Sequence, residues 1–129
     1  MDAVRVPVLM YHRVGDAHNE WEGRYAIAPR DFAAHMRQLA RKGYQAVTID
    51  ALVDWLEGGP PLPAGAILVT FDDGFRGVRE HALPVMEHLG WPFTVFLVSD
   101  LIGQEDLWTR DANPDGVTYP LLDADEIRD

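Results

Sequence analysis

The distribution of apolar residues along the chain predicts four short strands. The apolar runs are brief and rich in β-branched or aromatic residues, and glycine, proline or charged residues bound them, which is typical of strands in a parallel sheet. They cover residues 4–11, 46–49, 66–71 and 93–98. The first run is expected to be a buried strand, and the run at 66–71 is the strongest of the four.

Helical spacing of apolar residues alternates with these strands. Helical patterns cover residues 29–43, 52–56 and 78–89, whereas residues 12–28 and 104–119 are expected to be loops. Pro84 is expected to kink or restart the third helix. Asp123 followed by Glu126 resembles a capping box that begins another helix. Strands that alternate with helices predict a single α/β domain with parallel pairing.

Two adjacent carboxylates and a glycine end the strongest strand, which reads AILVTFDDG over residues 66–74. Asp72 and Asp73 come at the carboxyl end of the strand, where α/β folds keep their functional sites. Gly74 allows a sharp turn, so both acids can face one pocket. Neighbouring carboxylates repel each other unless a cation or a shared proton relieves them. A solvated turn is the alternative, because Asp and Gly are common turn residues.

Composition excludes several classes of function. The formal net charge is −10, from 21 acidic against 11 basic residues, which argues against nucleic acid and anionic membranes as partners. The chain has no cysteine, so a disulfide framework and a thiolate metal site are excluded. The apolar stretch near the start is too short for a membrane span, and Asp2 before it makes a poor signal peptide. As it stands, the sequence predicts a cytoplasmic protein without a membrane span.

Three segments, in order, carry a resemblance to a known family. They are VPVLMYHRV at 6–14, TFDDGFRG at 70–77 and ALPVMEHLGWPFTVFLV at 82–98. Together they resemble the polysaccharide deacetylases of carbohydrate esterase family four, which share the NodB-homology domain and are often exported. The tyrosine–histidine pair of the first segment is most similar to the poly-N-acetylglucosamine deacetylase branch. The resemblance implies a distorted β/α barrel with parallel strands, of which residues 1–129 are the N-terminal portion.

The same resemblance implies an activity and roles for three residues. The activity is metal-dependent hydrolysis of N-acetyl, or O-acetyl, groups on a polysaccharide or oligosaccharide such as N-acetylglucosamine polymers. By this match Asp72 is the general base, Asp73 is a metal ligand and His12 is the general acid that protonates the departing amine. The metal is expected to be divalent, with zinc first and nickel or cobalt as alternatives. Without the family match, His12 is more readily explained as a histidine that bonds to a backbone carbonyl.

The metal ligands expected for the family are incomplete in this sequence. Two more ligands come from an H-x-x-x-H pair that normally follows the helix near Asp123, but no histidine occurs after His88. One carboxylate is expected to hold the metal weakly, because tight sites use three or four protein ligands. The chain is therefore either a deacetylase without its C-terminal part or a catalytically inactive half-domain that needs a complementing C-terminal segment or partner chain. A receiver-like acidic-pocket domain is a further alternative, but it needs a lysine after later strands and the single lysine, Lys42, precedes the acidic pair.

Two further histidines and two tryptophans are candidates for metal ligands or sugar contacts. His81 and His88 are two helical turns apart, about 10 Å, which is too far for one zinc ion with bonds of about 2 Å. Trp21 and Trp108 lie in the two expected loops and are candidates for stacking against sugar rings. Loop tryptophans more often pack under their own loop.

Overall fold

Parallel pairing around one central strand organises residues 4–129, which are the residues that the computed structural model describes. In chain order the elements are β1 (Val8–Tyr11), β2 (Arg13–Val14), β3 (Ala26–Ile27), α1 (Pro29–Arg41), β4 (Gln45–Ala46), α2 (Ile49–Leu56), β5 (Ala66–Asp73), α3 (Leu83–Leu89), β6 (Thr94–Leu97) and α4 (Ala124–Arg128). The strand β5 pairs with β1, β4 and β6, all in parallel. The prediction of an α/β fold with parallel strands is confirmed.

Local sequence signals explain where the helices begin and end. Pro29 opens α1, where its fixed φ suits the first turn. The Thr48 hydroxyl accepts a hydrogen bond from the Ala51 N–H at 3.1 Å and so caps α2. At α4, Asp123 and Glu126 form the expected capping box, each side chain accepting from the other's backbone N–H. The predicted starts at residues 29 and 123 are therefore confirmed.

The helix expected at 78–89 changes type where Pro84 was predicted to disturb it. Residues Val78–Ala82 form a π-helical turn and α3 follows directly. Proline lacks the N–H that would continue the first hydrogen-bonding pattern, so the helix restarts. Helix α3 ends at Gly90, which has a φ of 68°.

The hydrophobic core lies on one face of the sheet. Helix α1, the π-helical turn and α3 cover that face, and the largest fully buried side chains include Phe32, Phe71, Met36, Ile67 and Met86. On the opposite face the flanking strands expose apolar side chains, because Val8, Met10 and Phe96 are 58%, 63% and 50% exposed, whereas Leu68 of β5 is buried. The expectation of a buried first strand is therefore wrong for alternate residues of β1.

Two other expectations about strands need correction. The run at 46–49 was expected to be a strand, but β4 ends at Ala46 because Thr48 already caps α2. The segment 12–28 was expected to be a loop, but it contains β2 and β3, which pair in parallel with each other. Among the described residues no helix has the length and apolar character that crossing a membrane requires.

A glycine close to the core gives a test of this packing. A Cβ added at Gly77 would lie 2.2 Å from the Val14 carbonyl oxygen, so the Gly77→Ala variant must shift backbone. We expect it to lower the free energy of unfolding by about 1–3 kcal/mol. Gly23→Ala is the matched control, because its Cβ would meet nothing within 4 Å and the change should stay within about 0.5 kcal/mol. Urea unfolding of the two variants measures both values, and equal stabilities would contradict the close approach.

Candidate active site

The register of β1 against β5 brings His12 and Asp72 together. Tyr11 pairs with Phe71, so His12, just after β1, lies beside Asp72 near the end of β5. His12 Nε2 lies 3.7 Å from Asp72 Oδ2, and the two side chains are 23% and 32% exposed. The structure thus places an imidazole and a carboxylate side by side at the carboxyl end of the sheet, partly open to solvent.

The left-handed backbone at the end of β5 begins at Asp73, one residue earlier than the sequence indicated. Asp73 has a φ of 79° and Gly74 a φ of 73°. A left-handed conformation is easy for glycine and uncommon for other residues, and such strain often marks a functional site. The conformation turns the chain out of the sheet, and Asp73 lines the same cavity as His12.

The surroundings of Asp73 disfavour its charge. Burial is the main cause that raises the pKa of its carboxyl group, and the negative charges of Asp72 and Asp106 raise it further, while His12 opposes the shift. A site that penalises a carboxylate in this way is relieved when a cation binds beside it. Asp73 therefore has the environment of a carboxylate that gains from a bound metal ion.

Aromatic packing beneath the strand ends holds the site residues in place. The Tyr11 ring stacks on Phe71 with centroids 5.7 Å apart, and its edge contacts Phe32 at 5.2 Å. On the other side, Phe71 meets Phe93 edge to face at 5.4 Å. The Thr70 hydroxyl also donates to the Leu9 carbonyl at 2.7 Å. Because Tyr11 and Phe71 precede His12 and Asp72, this packing fixes the starting points of both site side chains.

A buried polar cluster that the sequence did not reveal joins two loops beside the site. Arg13 donates to Glu22 Oε1 at 2.9 Å, Tyr119 donates to the same oxygen at 2.5 Å, and Asn113 donates to Glu22 Oε2 at 3.0 Å. The Arg13 guanidinium lies 3.7 Å from the centroid of the Tyr119 ring. Glu22 is only 3% exposed. Its position in a polar segment gave no signal of burial, since the partners that make burial possible are distant in sequence.

The ionisation of this cluster follows from its contacts. Burial would raise the pKa of Glu22, but hydrogen bonds from Tyr119, Asn113 and the His18 backbone, together with the Arg13 charge, hold it below its usual value. Burial and the hydrogen bond to Glu22 raise the pKa of Tyr119 to about 12. At neutral pH the cluster is therefore an ion pair with a neutral phenol.

The remaining candidates from the sequence are two tryptophans, which lie at the site, and two histidines, which lie on other elements. Trp21 and Trp108 line the same cavity as His12 and Asp73. His81 lies in the π-helical turn and His88 in α3. Within residues 4–129, no group of three or more His, Asp or Glu side chains is arranged to hold a metal ion. Asp73 fits the part of one metal ligand, but the described residues do not form a complete metal site.

Comparisons with known proteins show what the chain is similar to. Residues 59–120 match the family model of polysaccharide deacetylase. Over 86 residues the chain is 37% identical to the poly-beta-1,6-N-acetyl-D-glucosamine N-deacetylase of Escherichia coli (strain K12), a match that covers 65% of this chain and 12% of that protein.

Two solved structures share the fold. IcaB from Ammonifex degensii superposes with a TM-score of 0.76 at 32% identity, over 95% of this chain and 46% of that one. A polysaccharide deacetylase from Bacillus cereus gives a TM-score of 0.65 at 26% identity, over 95% and 34% of the two chains. The chain thus spans less than half the length of each of these proteins.

Because its pKa is raised, the charged form of Asp73 is expected to destabilise the folded chain. Above the folded-state pKa the buried charge destabilises the native chain, whereas below about pH 3.9 the group is protonated in both states and the penalty vanishes. We therefore expect Asp73→Asn to increase the free energy of unfolding at pH 7, and the gain to shrink as the pH falls. Urea unfolding at several pH values measures it, with the exposed Asp100→Asn as control. A gain of equal size at every pH would show that backbone conformation and not charge is responsible.

Proposed function

We propose that the chain, which belongs to the polysaccharide deacetylase family, supplies the general base, the general acid and one metal ligand of a deacetylase site. Members of this family act on acetylated polysaccharides. The observation that carries the proposal is the 3.7 Å approach of His12 and Asp72 beside the strained Asp73. Residues 1–129 are proposed to form the N-terminal portion of the catalytic domain.

The proposed reaction divides proton transfer between two neighbouring side chains. Asp72 accepts a proton from the attacking water, and His12 donates one to the nitrogen that leaves as an amine. Such groups must lie within reach of the reacting atoms and exchange protons near the working pH. The partial exposure of both side chains leaves room for a substrate to approach them.

Asp73 is proposed to hold a divalent metal ion, with zinc first and nickel or cobalt as alternatives. A bound metal acidifies a water molecule and polarises the acetyl carbonyl. The buried and charge-repelled environment of Asp73 favours this role over that of the base. Its separation from Asp72 also makes chemical sense, because a coordinated carboxylate is a weaker base than its free neighbour.

The proposed substrate is an acetylated polymer of N-acetylglucosamine. The support is the 37% identity to the Escherichia coli enzyme, which is named for that polymer. O-acetyl groups are the alternative substrate groups. Their hydrolysis depends less on His12, because an alcohol leaves more readily than an amine.

A second candidate is a catalytically inactive half-domain that requires a complementing segment or partner chain. Two observations favour it for the described residues taken alone. They contain no cluster of three or more metal-binding side chains, and Val8, Met10 and Phe96 leave one face of the sheet exposed. Both candidates agree that the residues here provide only part of the site.

Zinc titration separates a partial site from a complete one. We expect the 129-residue chain to bind zinc in the micromolar range or more weakly, because Asp73 is the single ligand assigned to the metal. It should show no measurable deacetylation of N-acetylglucosamine oligomers. Calorimetry with zinc is the direct measurement. Sub-micromolar affinity that disappears in Asp73→Ala would refute the expectation and show that further side chains bind the metal with Asp73.

The role assignment is testable in a chimera in which residues 1–129 replace the matching part of IcaB from Ammonifex degensii. There we expect Asp72→Asn to lower turnover by about 10²–10⁴-fold with metal content unchanged, because the amide keeps the shape but accepts no proton. Asp73→Ala should lose both metal and turnover. His12→Ala should retain metal and slow amine release, with the smallest effect on activated acetate esters. Metal analysis and turnover are measured on the same preparations.

The exposed Asp100→Asn serves again as control and should change neither quantity. Equal metal loss in the Asp72 and Asp73 variants would contradict the division of roles and show that both acids are ligands. Unchanged turnover in Asp72→Asn would remove it as the base.

A further inference from the structure

A cavity between two loops extends from the catalytic side chains, and its walls are largely aromatic. It has a volume of about 240 Å³, with His12 and Asp73 among its lining residues. One loop, residues 15–25, contributes Trp21 and Tyr25, and the other, residues 104–119, contributes Trp108. A cavity of this size is smaller than the roughly 300–1,000 Å³ of sites for drug-sized ligands. It therefore suits one small ring and not a long stretch of chain.

Two of these rings are exposed and each rests on another ring. Tyr25 is 48% exposed, and its ring lies 5.4 Å from that of Trp21 and 5.6 Å from the His12 imidazole. Trp108 is 45% exposed, and the centroid of its ring lies 6.3 Å from that of the buried Phe75. Trp108 is thus not packed away under its own loop. Each exposed ring has an apolar surface facing solvent and a support that limits its movement.

The polar groups in the same cavity are occupied with one another. The Arg13–Glu22 ion pair and the Asn113 and Tyr119 hydrogen bonds bind the two loops together. Asp106 accepts from the Thr109 hydroxyl at 2.8 Å and from the Tyr119 N–H at 2.5 Å. These contacts satisfy the buried charges, so a ligand meets rings together with His12 and Asp73. The arrangement favours an uncharged ligand that offers C–H faces to aromatic rings.

We propose that Tyr25 and Trp108 form the binding platform for the sugar unit that carries the reacting acetyl group. This inference rests on the proposed function, since it assigns the substrate's sugar ring to the cavity beside His12 and Asp73. The C–H face of a pyranose ring packs on an aromatic face, which buries apolar surface on both partners. Trp21 and Phe75 support the platform, and the Arg13–Glu22 cluster acts as a positioning device that sets the spacing of the two loops.

The test is a titration of the 129-residue chain with a fully acetylated N-acetylglucosamine oligomer, in the presence of a chelator so that metal and turnover play no part. The four indole N–H signals of the NMR spectrum report on four sites at once. We expect those of Trp108 and Trp21 to shift on binding, and those of Trp55 and Trp91 to stay in place. Trp108→Ala and Tyr25→Ala should each weaken binding about fivefold to tenfold, while Trp108→Phe retains most of the affinity.

The matched control is Trp55→Ala, which removes a half-buried tryptophan of α2 outside this cavity and should leave the affinity unchanged. Absence of binding, or binding that shifts Trp55 in place of Trp108, would overturn the platform. So would equal affinity in Trp108→Ala and the unaltered chain. Any of these results leaves the roles of Asp72, Asp73 and His12 standing, because those are tested by metal content and turnover in the chimera.

Discussion

Strand β5 is hydrogen-bonded to three other strands, and its register determines where His12, Asp72 and Asp73 lie. Tyr11 opposite Phe71 on one side puts His12 beside Asp72, although the two are far apart in sequence. Pairing with β6 on the other side extends to Asp73 itself. A shift of one residue between β1 and β5 would turn His12 to the other face of the sheet, because side chains alternate along a strand. The approach of His12 to Asp72 is therefore a consequence of backbone pairing and of the aromatic packing around it.

The end of β5 also concentrates unfavourable interactions. Asp73 combines a left-handed backbone, partial burial and two nearby negative charges. Each of these destabilises the folded chain on its own, and no compensating ion pair to Lys or Arg is formed by this carboxylate among residues 4–129. Such strain persists where the surrounding structure determines the conformation, and here β5 and the loop after Gly74 do so. A bound cation would relieve the electrostatic part, which links the local instability to the proposed metal role.

Local signals in the sequence predicted most of the fold, and non-local contacts account for what it missed. The capping box at Asp123, the proline that opens α1 and the apolar run of β5 act within a few residues, so their outcome could be read directly. The acidic pair was placed at the strand end for the same reason. The burial of β1 was predicted wrongly because it depends on what covers the sheet, and Val8 and Met10 face the uncovered side. The strands β2 and β3 and the Glu22 cluster depend on partners elsewhere in the chain, which a linear pattern does not show.

The exposed apolar side chains of β1 and β6 lie on the same side of the sheet as Asp72. Val8 and Met10 pair with Leu68 and Thr70, and Phe96 pairs with Asp72. Because directly paired residues of neighbouring strands point to the same face, the exposed apolar residues and Asp72 share one side of the sheet. A segment that buried this apolar surface would therefore lie next to Asp72. A complementing segment of the kind proposed above that reached Asp72 would also bury this apolar surface, so a segment that restores activity should also stabilise the sheet.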